Sequence, residues 1–185
     1  MIHFGLAAVL LLVPPIDQGS VRAEALDAGY QEAYVGTAGP IALRIRAAYD
    51  IPASVTVAQS ILESNWGRSK LSTAELNYFG FKCVRPTSPG PLALRCARYP
   101  TTECIPAPCH PVDAFFRSYA SVDDSFRDYG RLLTTSSNYA AALPVRADPD
   151  AFIRAVARKY ATDPEYANKV IRLMDLYDLR RFDRS

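Results

Sequence analysis

Glu63 is the only charged residue between Ile51 and Gly67, in a stretch otherwise typical of a buried helix. On a helical wheel of residues 55–66 the apolar side chains cover one broad arc. The second arc combines Glu63 with small or neutral polar residues: Thr56, Gln59, Ser60 and Ser64. A solvated helix face usually carries several charges, although a lone solubilising carboxylate remains the simpler alternative. We interpret this arc as the wall of a cleft in which small side chains leave room for a ligand.

A carboxyl group in such a setting suits proton transfer. Burial beside apolar groups disfavours the charged form, so the pKa of the carboxyl rises. Each unit of that rise costs the charged form about 1.4 kcal/mol. A carboxyl that keeps its proton near neutral pH is what a glycosidase needs as its general acid. The pattern therefore indicates that Glu63 is a candidate general acid.

Four cysteines form the second chemical pattern. Cys83, Cys96, Cys104 and Cys109 are the only cysteines in the chain, and the gaps between them do not match the close ligand pairs of zinc sites. Two disulfides are therefore expected, and no metal. Three connectivities are possible for four cysteines. We favour Cys83–Cys96 with Cys104–Cys109, because CIPAPC at 104–109 can close a tight turn between two strands.

The composition is that of a single globular domain. The chain has 185 residues, of which 49% are hydrophobic and 22% charged, with a formal net charge of +2. Its basic residues are scattered and include no Lys/Arg run that would follow a phosphate backbone. Nucleic acid is therefore not expected as a partner.

The N-terminus resembles an export signal. FGLAAVLLLVPP at 4–15 has the length of a signal-peptide core and is short for a membrane span. A cleavage site at Ala23 is acceptable, but only His3 precedes the apolar run, which leaves an uncleaved anchor or a buried helix as alternatives. We predict a signal peptide or anchor at 1–23, an N-terminal arm at 24–39, and a secreted protein.

These residues require elements that position them. Helix is predicted from Pro52 to about Asn65, and a short helix near Ser69. Residues 78–119 combine prolines, cysteines and short apolar runs, which favours a loop-rich β lobe with a few strands. Later helices are predicted to begin at three sites with capping patterns: SVDD at 121, DPDAF at 148 and DPEYA at 163. The expected fold class is α+β, with a helical lobe and a small disulfide-stapled β lobe.

Several motifs resemble one family. SVTVAQSILESNWGRSKLS and NYFGFK, then FRSYASVDDSFRDYGRLL and YATDPEYANKVIRLMDLYDLRRFD, are similar to the peptidoglycan-cleaving endo-β-N-acetylglucosaminidases of glycoside hydrolase family 73. The likeness covers about residues 40–183, the predicted glucosaminidase domain. It implies a lysozyme-like fold with the active-site cleft between the helical and β lobes.

The resemblance also implies roles for individual residues. Glu63 matches the catalytic acid, and Glu103, in TTEC, is the second acid expected from the β lobe. Tyr160 matches a tyrosine that lines the site and steadies the reaction, and it is the third predicted catalytic residue. Substrate binding is implied for a segment that shapes the cleft floor: Asn77, Phe79 and Gly80. The cysteine segment departs from the family, and residues 83–100 are interpreted as an added loop.

The resemblance implies hydrolysis of peptidoglycan after N-acetylglucosamine by a secreted, cell-wall-associated protein. We expect a monomer without cofactor or metal. A muramidase or lytic transglycosylase on the same fold is an alternative, and so is a non-catalytic wall-binding module. The mechanism depends on the distance between the carboxyl groups. About 5 Å indicates a covalent intermediate and about 6.5–9.5 Å an inverting water, while a substrate acetamido group is a third possibility.

Overall fold

A computed structural model describes residues 18–103, 108 and 110–184, without the side chains of 18–26, 102 and 103. Its helices are α1 (Gln18–Tyr49), α2 (Ala53–Ser64), α3 (Lys70–Glu75), α4 (Val122–Thr135), α5 (Pro149–Tyr160) and α6 (Tyr166–Leu176). Its strands are β1 (Arg95–Glu103) and β2 (His110–Ser118), and two 3₁₀ segments span Ser137–Val145 and Leu179–Asp183. The predicted division into a helical lobe and a small β lobe is confirmed.

Helix α1 runs through the predicted arm at 24–39 and on into the domain, so the backbone has no break at residue 39. The predicted signal peptide or anchor lies mostly outside the described residues. Within them, no helix is both long and apolar enough to cross a lipid bilayer.

Helix α2 is the central helix of the larger lobe. Pro52 precedes it and Asn65, in the left-handed region, ends it, as predicted. It packs against α1, α5, α6 and the last 3₁₀ segment. The core around it is continuous, and its largest fully buried side chains include Phe126, Tyr129 and Phe152.

The interpretation of the polar arc of α2 as a cleft wall is wrong. Four polar members of that arc are completely buried: Thr56, Gln59, Ser60 and Ser64. Their side chains satisfy their hydrogen bonds inside the protein. Thr56 donates to the Pro52 carbonyl, and the Tyr34 hydroxyl donates to Ser60 Oγ at 3.0 Å. The arc lacks charges because it is packed against neighbouring elements, and buried charges need dedicated partners.

The β lobe is one antiparallel hairpin. Its register runs from Arg95 opposite Ser118 to Glu103 opposite His110. The predicted Cys83–Cys96 disulfide is confirmed, and it ties the preceding loop to the start of β1. The predicted Cys104–Cys109 bridge lies outside the described residues. The predicted added loop at 83–100 ends too late, because residues 95–100 form the first part of β1.

Local capping places most helix starts where the sequence predicted them. Ser69 accepts from the Ser72 amide, Ser121 from the Asp124 amide, and Asp148 from the amides of Asp150 and Ala151. Helix α6 begins at Tyr166, slightly later than DPEYA indicated. Asp163 instead accepts a hydrogen bond from the Glu165 amide in the turn before it.

Candidate active site

The Glu63 side chain opens into a cavity of about 400 Å³. Three parts of the chain close around it: the segment after α3, the region of α4 and the 3₁₀ segment, and the end of α5. The lining residues are Glu63, Phe79, Gly80, Phe81, Leu132, Tyr139, Tyr160, Ala161, Thr162 and Asp163. The structure therefore brings Glu63 together with Phe79, Gly80 and Tyr160, as the sequence predicted.

The two oxygens of Glu63 have different surroundings. The Tyr166 hydroxyl donates to Oε1 at 2.7 Å. Oε2 faces Gly80, where an added Cβ would lie 3.6 Å from it. Burial raises the pKa of the Glu63 carboxyl, and the hydrogen bond from Tyr166 opposes that rise. Glu63 is thus a partly desolvated carboxyl with one oxygen bonded and the other directed at the glycine.

Gly80 has a positive φ of 65°, the left-handed region that favours glycine. The space around it would admit a Cβ, so backbone conformation rather than crowding is the reason for a glycine. The residue gives the chain a sharp bend beside the carboxyl.

Tyr160 supports the same segment. Its hydroxyl donates to the Phe79 carbonyl at 3.1 Å, and its ring stacks on Tyr166 with centroids 5.5 Å apart. Burial raises the pKa of Tyr160 well above its usual value, so the hydroxyl remains a donor at neutral pH. Tyr160 therefore lies in the site and holds the floor beside Glu63.

Asn77 is not among the residues that line the cavity, and its predicted role in substrate binding stays a prediction. Its side chain is 1% exposed and bonded to backbone. Nδ2 donates to the carbonyls of Phe81 and Arg117, and Oδ1 accepts from the Phe81 amide. The residue shapes the floor by folding the 77–81 segment back on itself.

Glu103 is the last residue of β1, and its side chain lies outside the described part of the chain. Its role as a second acid stays a prediction.

Two residues that the structure places at the site were not predicted from the sequence. Tyr166, which bonds Glu63, and Asp163, which lines the cavity, both belong to DPEYA, a motif interpreted only as a helix start. The Asp163 carboxylate is paired with Lys169 at 2.6 Å and bonded to the Glu165 amide, and these contacts lower its pKa. The cavity is therefore lined by two carboxyl groups, of which Glu63 has a raised pKa and Asp163 a lowered one. The sequence holds no signal that separates these roles from helix capping.

Comparison with known proteins places the chain in a family. Residues 39–179 match the glucosaminidase family model, described as mannosyl-glycoprotein endo-beta-N-acetylglucosaminidase. The chain belongs to this glucosaminidase family. The matched region includes the described cavity around Glu63, and the family consists of glycoside hydrolases.

Relatives of this glucosaminidase are named as a peptidoglycan hydrolase and a probable N-acetylmuramidase. Peptidoglycan hydrolase FlgJ of Vibrio parahaemolyticus is 32% identical over 146 residues, which cover 77% of this chain and 46% of FlgJ. A probable N-acetylmuramidase of Lactococcus lactis is 36% identical over 136 residues, covering 70% of this chain and 30% of the relative. The glucosaminidase chain thus spans less than half of each.

A solved structure supports the fold. The catalytic domain of the autolysin Auto from Listeria monocytogenes superposes with a TM-score of 0.71 at 27% identity, covering 92% of this chain and 99% of that domain. The predicted lysozyme-like α+β architecture of the glucosaminidase is confirmed.

Proposed function

We propose that the chain hydrolyses the β-1,4 bond that follows N-acetylglucosamine in peptidoglycan glycan strands, with Glu63 as the general acid. The observation that carries the proposal is the Glu63 carboxyl, partly buried at a cavity in a glucosaminidase fold. Burial raises the pKa of this carboxyl, which favours the protonated form that a general acid needs. Relatives named as peptidoglycan hydrolases supply the substrate class.

In the proposed reaction Glu63 gives its proton to the glycosidic oxygen as the bond from that oxygen to the anomeric carbon breaks. Positive charge develops on the sugar ring, and water adds to the anomeric carbon and returns a proton to the site. The second group, which activates water or stabilises the sugar cation, is proposed to be Glu103 or the substrate acetamido group. Tyr160 holds the cleft floor through Phe79.

The general-acid role predicts the behaviour of Glu63→Gln. An amide of the same shape preserves the cavity but has no acidic proton, so turnover of purified peptidoglycan should fall at least about 100-fold. Binding to insoluble peptidoglycan, measured by co-sedimentation, should persist. Near-normal lysis by a folded Glu63→Gln protein would remove the assignment. If neither the parent protein nor Glu63→Gln lyses peptidoglycan, although both bind it, a wall-binding module would be supported.

Bond specificity is decided by the products. Mass spectrometry of the digest should show new reducing ends at N-acetylglucosamine. Reducing ends at N-acetylmuramic acid would support a muramidase, the activity for which the Lactococcus lactis relative is named. Anhydromuramic ends would support a lytic transglycosylase.

The role of Glu103 has its own test. Glu103→Gln should lose turnover to an extent comparable with Glu63→Gln if Glu103 is the second acid. Cys104→Ser with Cys109→Ser should also lose turnover while helical circular dichroism remains, because the proposed bridge fixes the backbone next to the carboxylate. Full activity of both proteins would exclude Glu103, and Tyr160 or the substrate acetamido group would then be the next candidate for the second participant.

We also propose export and a monomeric state. The apolar run at 4–15 and the Cys83–Cys96 disulfide support export, because disulfides persist in oxidising compartments. Cell fractionation and sedimentation of the purified protein test these two points.

A further inference from the structure

A chain of hydrogen bonds reaches Glu63 from inside the protein. The Tyr129 hydroxyl of α4 donates to Gln59 Oε1 at 2.6 Å. Gln59 Nε2 donates to the Tyr166 hydroxyl oxygen at 2.8 Å, and Tyr166 donates to Glu63 Oε1 at 2.7 Å. Gln59 and Tyr129 are completely buried, and Tyr166 is nearly so. We call these three residues the Gln59 relay.

The relay has a defined direction. Neutral tyrosine hydroxyls carry one proton each, and burial raises the pKa of both Tyr129 and Tyr166. The Tyr129 hydroxyl donates its hydrogen bond to the amide oxygen of Gln59, so the amide nitrogen of Gln59 faces Tyr166. The Tyr166 oxygen is then already an acceptor, and its own proton points at Glu63.

We propose that the Gln59 relay keeps the acidic proton of Glu63 on Oε2, the oxygen beside Gly80, and stabilises the carboxylate left behind when that proton is transferred. Oε1 already accepts the Tyr166 proton, so a proton on Oε1 would face another hydrogen and break the bond. A hydrogen bond to an ionised acceptor is about twice as strong as one between neutral groups. Gln59, Tyr129 and Tyr166 are therefore positioning residues, a role that rests on Glu63 being the general acid.

Other groups around Glu63 also bear on its titration. Tyr160 from α5 stacks on Tyr166, Tyr139 from the 3₁₀ segment lines the cavity, and the ionised Asp163 lies on the turn before α6. Within the described residues, none of these three side chains forms a hydrogen bond with Glu63. Tyr166 is the donor to Oε1, so the test begins there.

The first experiment removes one hydroxyl. In Tyr166→Phe the ring and its stacking on Tyr160 remain, but the donor to Oε1 is lost. The protein has six glutamates, so with ¹³C-labelled Glu carboxyls the Glu63 signal is assigned by its absence in Glu63→Gln. We expect Glu63 to titrate at higher pH in Tyr166→Phe. The basic limb of kcat/KM should move upwards with it, and kcat at the optimum should fall on the order of tenfold, because misplaced groups lose rate steeply.

The second experiment tests the relay as a unit. Gln59→Met fills a similar volume but cannot donate to Tyr166, so Glu63 should titrate at higher pH by a smaller amount. In the Tyr166→Phe background Gln59→Met should change the titration no further, because Gln59 acts only through Tyr166. Additive shifts, or no shift in Tyr166→Phe, would overturn the relay.

Tyr34→Phe is the matched control. The Tyr34 hydroxyl also bonds α2, at Ser60, but lies outside the relay. Loss of the Tyr34 hydroxyl should leave the Glu63 titration unchanged. If Tyr34→Phe shifted the Glu63 pKa as much as Tyr166→Phe does, any loosening of α2 would be enough to cause the shift. The titration does not depend on turnover. Active Glu63→Gln therefore contradicts the proposed function, whereas an unchanged Glu63 titration contradicts the relay alone.

Discussion

At the scale of single residues, Glu63 carries a carboxyl whose ionised form is disfavoured by its surroundings. Its carboxyl lies on a helix whose other polar side chains are buried, and burial opposes its ionisation. The hydrogen bond from Tyr166 limits that cost without removing it. At neutral pH the folded protein therefore holds a carboxyl more reluctant to ionise than it is in the unfolded chain, and this reluctance should cost stability.

Glu63→Gln should accordingly be more stable than the parent at pH 7–8. The folded-state pKa lies above the unfolded value of about 4.3, so the folded state binds more protons between the two values and the parent loses stability as pH rises through them. Below about pH 4 both side chains are neutral and the advantage should vanish. Thermal melts across pH measure this, with exposed Glu32→Gln as the control. An advantage that is constant across pH would contradict the argument.

At the scale of elements, one buried ion pair joins the two lobes. Arg117 of β2 donates to Asp128 of α4 at 2.5 Å, and their side chains are 8% and 0% exposed. Tyr119 and Arg131 also donate to Asp128. Arg131 belongs to α4 itself, whereas Arg117 and Tyr119 come from the end of the hairpin and from the residue after it, so these two donors link the β lobe to α4.

Asp128→Asn should therefore be costly. Removing one partner of a buried pair leaves the other charge uncompensated, and we expect a loss of about 3–5 kcal/mol in the free energy of unfolding, measured with urea. The exposed pair between Arg44 and Asp123 provides the control. Arg44→Ala should cost no more than about 1 kcal/mol. Similar losses in the two variants would show that the buried pair has no special role in joining the lobes.

At the scale of the whole molecule, the lobes are stabilised by different means. The helical lobe has a continuous apolar core that includes Ile61, Phe126 and Val170. The hairpin has two strands, and isolated two-stranded hairpins are marginal in water. The disulfide Cys83–Cys96 and the ion pair between Arg117 of β2 and Asp128 of α4 add support that two strands alone do not provide.

Cys83→Ser with Cys96→Ser should thus weaken the β lobe first. Loss of the bridge, with its sequence separation of 13, should cost about 2–4 kcal/mol by releasing the unfolded chain. Helical circular dichroism in the absence of urea should stay near that of the parent, because the helical core does not include the cysteines. Proteolysis should begin in residues 83–103. Cleavage that begins instead in α2 or α4 would contradict this division.

The sequence alone determined the features that depend on neighbours along the chain. Ser69, Ser121 and Asp148 cap helices within a few residues of themselves, so their side chains predicted the starts of α3, α4 and α5. Glu63 was identified because a lone carboxylate in an apolar stretch is unusual whatever surrounds it.

Only the tertiary structure decided what the polar side chains of α2 do. Gln59 bonds a tyrosine 107 residues away, and Glu63 one that is 103 residues away. A buried polar arc and a cleft wall have the same helical pattern, since both exclude charge, and the pattern does not show what packs against it. Folding brings α4 and α6 onto that arc, which buries Gln59 and leaves Glu63 at the cavity, and this contact gives Tyr166 its place beside the acid.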